Sequence, residues 1–143
     1  MISLKKFDKV FFNSLIDKEK ILLGENFFTV FENKTKVGIV GVVEPNFLQI
    51  IIKKEFRSKG LFEIIVNLIM EKMNLNCLSA TIDKDNIASL KACKKAGFKV
   101  LSKAKLDLLR KKGFLKENQV RMIKNISEKQ HKSLYSIILF LGL

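Results

Sequence analysis

"IIIKKEFRSKGLFEIIVNLIMEKM", residues 50–73, is the stretch on which the fold turns. An aliphatic run that reads as a strand gives way to a basic turn with a single glycine, Gly60, and then to an apolar, helix-like run. In that run Glu63, Asn67, Glu71 and Asn74 form a narrow polar stripe, while Phe62, Ile65, Val66, Ile69 and Met73 form a broad apolar face. Such a helix has to be largely buried. Directly after it, "LSATID" alternates Leu78, Ala80 and Ile82 with Ser79, Thr81 and Asp83, the period of a half-covered strand. A strand, a long covering helix and another strand make a right-handed crossover, so the two strands should run parallel.

Upstream of this unit, the spacing predicts a short strand at Ile2 to Lys6, then a helix capped by Asp8 with Val10, Phe11, Ser14 and Leu15 on one side. "NFFTVFENKTKVGIVGVVEP" reads as a hairpin, its β-branched and aromatic runs flanking the polar turn Asn33 to Lys36. A second turn, Glu44 to Asn46, leads into "FLQIIIK", so three sequential strands form an antiparallel meander. Downstream, a second helix runs from about Asn86 to Ala96 and ends at Gly97, the residue type that most easily takes a left-handed C-cap. "FKVLSKAKLDLL" alternates again, with Lys99, Lys103, Lys105 and Asp107 toward water, and reads as a strand. "KKGF" then turns the chain into a last strand near Gln119 to Ile126. The order β-α-β-β-β-α-β-α-β-β specifies an α/β domain: a single mixed β-sheet flanked by helices.

With 143 residues there is room for one domain, because a chain of this size buries roughly 70% of its unfolded surface. We place that domain at residues 1–126 and read 127–143, with its apolar end "SLYSIILFLGL", as a tail packed on the domain or at an oligomer contact such as a homodimer. The apolar run is shorter than the ~20 residues a spanning helix needs. The amino terminus lacks the apolar core and cleavage site of a secretory signal, and Cys77 and Cys93 have no metal-binding spacing. These features point to a cytoplasmic protein with reduced thiols and no metal. The formal net charge is +13, yet the basic residues are almost all lysine, with only Arg57, Arg110 and Arg121. Base readers and bidentate phosphate clamps lean on arginine, so a solvated lysine surface that attracts anionic ligands is favoured over a dedicated nucleic-acid face.

A helix N-terminus carries unpaired N–H donors and the positive end of the macrodipole, so a basic turn feeding one is a natural anion site. In "RSKGLF" Gly60 lets the backbone approach a ligand closely. Successive N–H groups of Ser58, Lys59, Gly60, Leu61 and Phe62 can converge as a nest, with Arg57 and Lys59 adding charge. An ordinary turn with solvated lysines is the bland alternative.

Two motifs read together, Arg57–Gly60 and then Asn86, Ala88, Ser89, Lys95, Gly97 and Phe98, resemble the GNAT superfamily of N-acetyltransferases over roughly residues 26 to 126. In that family an Arg/Gln-x-x-Gly-x-Gly/Ala turn receives the pyrophosphate of acetyl-coenzyme A, and an Asn-x-x-Ser helix ending in Gly-Phe follows the next strand. The resemblance implies a GNAT-like acyl-CoA N-acyltransferase fold whose two parallel strands splay apart. It also implies acetyl-CoA as co-substrate, with Ile50, Ile51 and Ile52 giving main-chain contacts and an apolar wall to the pantetheine arm. Asn86 and Ser89 would bond that arm, although Asn86 serves equally as a helix cap. One position departs from the pattern: Phe62 stands where the family usually has Gly or Ala, though it keeps the backbone N–H that phosphate binding uses.

The implied reaction is direct transfer of an acetyl group to a primary amine on a small molecule or protein, with the carbonyl polarised by backbone N–H near Ile52. Many family members place a tyrosine four residues before the Gly of the Gly-Phe pair. Here that position is Cys93, a candidate acid or else a small packed residue. Glu44, closing the third strand, is the candidate general base or else an exposed turn residue. His131 and Tyr135 fall in the tail and receive no role. The competing functions are a coenzyme-binding regulatory module that has lost catalysis and a basic RNA- or ribosome-associated protein.

Overall fold

The strands on either side of the central helix set the frame, and the structure, a computed structural model, describes residues 1–126. The expected tail at 127–143, with His131 and Tyr135, lies outside the described residues. In chain order the elements are β1 (Ile2–Lys6), α1 (Lys9–Asn13), β2 (Asn26–Glu32), β3 (Thr35–Val43), β4 (Phe47–Ile52) and α2 (Leu61–Lys72). They continue with β5 (Cys77–Asp83), α3 (Ile87–Lys95), β6 (Lys99–Val100), α4 (Lys103–Lys111) and β7 (Gln119–Asn125). The strands form one mixed sheet in the order β1-β2-β3-β4-β5-β7-β6. The meander and the hairpin pair antiparallel as expected, and β4 and β5, joined through α2, are the parallel pair.

Each face of the sheet holds its own core. Under α2, Leu61, Ile65, Val66, Ile69 and Met70 pack on Val40, Leu78 and Met122. Burying each such side chain contributes about 1.5–3 kcal/mol before ordering costs. On the opposite face, Ile39 and Ile51 meet Phe12, Leu15 and Phe27. Two glycines permit this packing: a Cβ on Gly38 would stand 2.1 Å from the Ile51 carbonyl oxygen, and one on Gly41 would stand 2.4 Å from the Phe27 ring.

Two expectations are corrected. The α1 helix, capped by Asp8 accepting from the Phe11 N–H, has only five residues, too few to set a face. It buries Phe12 and leaves Val10 82% exposed. The run "FKVLSKAKLDLL" is not a strand: β6 is two residues long, and α4 begins after Ser102, whose hydroxyl accepts from the Lys105 N–H at 3.3 Å. The alternation seen in the sequence is equally compatible with helical spacing. An N-cap serine followed by strong helix formers decides it, with Leu106 buried and Leu109 and Arg110 half-buried one turn on.

Candidate active site

β4 and β5 touch at a single register pair, Phe47 with Ser79, where the Ser79 N–H donates to the Asn46 carbonyl at 2.9 Å. Beyond it the two strands part toward their C-terminal ends. The pairing of β4 with β3 determines which groups face the gap. The Lys53 N–H donates to the Val37 carbonyl at 2.8 Å, and bonded pairs alternate along an antiparallel ladder. Ile51 and Lys53 therefore bond β3, while Ile50 turns its N–H and C=O and Ile52 its N–H outward into the cleft, the Ile52 carbonyl being taken by Arg57. The side chains of Ile50 and Ile52 lean on the α2-side core. Ile51 is thus a correction: its main chain is engaged by β3 and its side chain is buried in the opposite cluster, so it offers the cleft neither a main-chain bond nor a wall.

The turn after β4 opens into the same cleft. Ser58 (φ +62°) and Gly60 (φ +77°) both take left-handed conformations, and Gly60 caps α2. An alternation of this kind points successive N–H groups to one side. Among the described residues, the N–H groups of Ser58, Lys59, Gly60, Leu61 and Phe62 have no protein acceptor. A Cβ on Gly60 would meet nothing within 4 Å, so the turn is open around Gly60. The Phe62 ring is half-buried against the α2-side core. These features fit a diphosphate.

Arg57 acts otherwise than as a free charge. Its Nε donates to the Ile52 carbonyl at 2.6 Å and its Nη2 meets Asp17 at 2.9 Å, which holds the Asp17 carboxyl below the usual carboxylate range. A carbonyl and a carboxylate within reach have made it a strut between the turn and the loop after α1. Lys59 stays exposed, its ammonium 5.7 Å from the Phe56 ring centre.

On the other arm of the split, Asn86 caps α3: its Oδ1 accepts from the Ser89 N–H at 3.2 Å, leaving the amide nitrogen as the group free to donate. Ser89 is half-buried on the first turn of α3. The expected acid does not reach the cleft. Cys93 is 3% exposed within the α2-side core, and burial pushes its thiol up to about 11, so it is a neutral packing residue near pH 7. Among the described residues no group of three or more His, Cys, Asp or Glu side chains is gathered as a metal site, and no helix is long and apolar enough to cross a membrane.

The face of the sheet away from α2 carries a cavity of about 590 Å³ beside the β4–β5 junction. Glu44, Phe47, Gln49, Thr81 and Arg121 line it, with Leu22, Leu109 and Phe114 contributing apolar surface. Gln49 holds the loop after α1 in place, its Oε1 accepting from the Leu22 N–H at 3.0 Å. Glu44 is exposed at the end of β3. Of this group the sequence singles out only Glu44 as a site residue. Arg121 and Thr81 lie 40 positions apart, and only the β5–β7 register sets them opposite one another. The one available signal was Gln49, a polar residue inside an aliphatic strand.

Solved structures share this architecture. The N-acetyltransferase PseH of Campylobacter jejuni, in complex with acetyl coenzyme A, matches with a TM-score of 0.63 at 15% identity, over 89% of this chain and 100% of that one. Spermidine N-acetyltransferase of Vibrio cholerae, a dodecamer, matches with a TM-score of 0.63 at 17% identity, over 92% and 98%. A Bacillus subtilis acetyltransferase in complex with CoA matches with a TM-score of 0.58 at 16% identity, over 88% and 98%. At these identities the likeness establishes the fold. No curated protein matches the chain by sequence. The sequence model of the family described as acetyltransferase (GNAT) domain matches residues 4–99, from β1 to the start of β6. A family match over well over half the chain, on a sheet split at the expected strand pair, places this protein in the GNAT acetyltransferase family.

Proposed function

We propose that the protein moves an acetyl group from acetyl-CoA directly to a primary amine. The observation that carries this reading is the parting of β4 from β5 after Phe47–Ser79, with Ile50 and Ile52 turned outward beside the open N–H groups of Ser58 to Phe62. Ile50 and Ile52 would pair with the pantetheine arm as a strand edge does, and the nest at Gly60 would hold the diphosphate. The Ile50 N–H, the outward donor nearer the Phe47–Ser79 junction, would polarise the thioester carbonyl, with Ile52 beside the arm toward the diphosphate turn. The Ser89 hydroxyl and the amide nitrogen of Asn86 border the arm from the other side.

The co-substrate supplies an activated acetyl group, so this chain has to position the amine and take its proton. In the transfer the amine nitrogen bonds to the carbonyl carbon, the carbon–sulfur bond breaks with its electron pair going to sulfur, the coenzyme A thiolate takes a proton from water, and the amine's proton leaves to a base. Glu44, at the rim of the cavity across the sheet, is that base, acting directly or through water. Holding both reactants on a rigid sheet supplies much of the acceleration, so the burial of Cys93 does not remove the activity. The experiment is a calorimetric titration of the full chain with acetyl-CoA, followed by thiol release with an amine panel. Heat and release support the reading, and the absence of both heat and a thermal shift overturns it. The burial of Cys93 favours one second reading, a coenzyme-binding regulatory module, for which heat without release across the panel is the signature.

A further inference from the structure

The cavity beside the β4–β5 junction holds one cation and one carboxylate, and the cation has no counter-charge. Arg57 and Arg110 each meet an aspartate, whereas Arg121 forms no ion pair among the described residues. It is nevertheless held rigidly. Its Nε donates to the Thr81 hydroxyl at 2.9 Å, an Nη2 hydrogen goes to the Phe114 carbonyl at 3.2 Å, and the guanidinium lies 4.7 Å from the centre of the Phe47 ring. The other terminal nitrogen, Nη1, has no acceptor among the described residues. A guanidinium remains charged under all ordinary conditions, and partial burial on an aromatic face removes part of its hydration. That partial desolvation also lowers its pKa.

We propose that the acceptor is a small primary amine that also carries an anionic group, carboxylate or phosphate, which Arg121 binds. The proposal rests on the transferase reading above. Glu44 on the same cavity takes the amine end, so the two charged groups read a molecule with opposite charges at its ends. Leu22, Leu109 and Phe114 accommodate an apolar segment between or beyond them. A volume of about 590 Å³ suits a small molecule, and the net charge of +13 draws anionic ligands toward the protein. A polyamine, which brings only positive charge, would leave Arg121 unpaired and repelled.

The test compares matched amines at about 0.15 M salt, where diffuse attraction to the lysine surface is screened. The pairs are 4-aminobutyrate with butylamine and phosphoethanolamine with ethanolamine, with spermidine as the cationic arm. Binding to the full chain loaded with coenzyme A is read by calorimetry, and turnover by thiol release. At least one anionic amine is expected to bind about tenfold or more tighter than its neutral partner. Which of the two pairs separates tells carboxylate from phosphate. In Arg121→Gln that advantage falls below about threefold, while the affinity for coenzyme A is kept. Equal binding within both pairs, preference for spermidine, or no amine binding at all overturns the proposal while leaving coenzyme binding standing. Failure to bind coenzyme A overturns the transferase reading instead, and the amine pairs are then compared on the free protein. Should Arg121→Gln not fold, the wild-type ratios decide the matter, with Arg121→Lys expected to reduce them.

Discussion

Gly60 is where backbone geometry and ligand space coincide. Its φ of +77° costs an L-residue about 1–2 kcal/mol, and an added Cβ would stand in open space within the turn that carries the N–H nest. Gly60→Ala is expected to lower stability by about 1 kcal/mol and to weaken acetyl-CoA binding about tenfold, measured by denaturant unfolding and calorimetry on the same preparation. Gly38 is constrained differently, by the Ile51 carbonyl at 2.1 Å from an added Cβ. Gly38→Ala should cost about 3 kcal/mol in unfolding experiments, because the clash is with backbone that cannot rotate away. Cys93, with its thiol pushed up to about 11 and 3% exposed, should react with an aromatic disulfide only as fast as the protein opens. Half-buried Cys77 should react first. Equal rates for the two thiols would contradict the core placement.

At the scale of elements, the loop after α1 is tied to the β4–α2 turn by Arg57 and Asp17, and the start of α1 is tied to β3 by Lys36 on the capping residue Asp8. Arg57 and Lys36 hold the carboxyls of Asp17 and Asp8 below the usual carboxylate range. A folded-state value below the unfolded one gives stability that is present above the unfolded pKa of about 4 and is lost as pH falls through the folded value. Urea midpoints should therefore drop as pH is lowered from about 5 toward 2, and Asp17→Asn should flatten part of that drop. A midpoint that rises on acidification would contradict both pairings.

The elements most plainly written in the sequence are those whose residues carry their own signal. The polar stripe Glu63, Asn67, Glu71 fixes α2, Asp8 caps α1, and Asn86 and Gly97 bracket α3. The segment after Gly97 reads as a strand but folds as a helix because its four polar positions satisfy both periods, and Ser102 as a cap decides between them. Arg57 shows another limit: whether a basic side chain faces a ligand or a neighbouring carboxylate depends on where Asp17, 40 positions away, is folded.

For the whole molecule, two local motifs located the cleft, because backbone donors at a glycine turn and strand edges are properties of short segments. The opposite cavity has no such segment. It gathers β3, β4, β5, α4, β7 and the three loops that hold Leu22, Glu44 and Phe114, so its lining is visible only once the sheet is assembled. The central claim is that main-chain groups of the split sheet hold the coenzyme, and residue-resolved amide hydrogen exchange with and without acetyl-CoA tests it most directly. Ile50, Ile52 and Ser58 to Phe62 should gain protection on binding, whereas Ile51 and Lys53, already bonded to β3, should change little. Unchanged exchange at Ile50, Ile52 and the Gly60 turn in a protein saturated with acetyl-CoA would contradict the account.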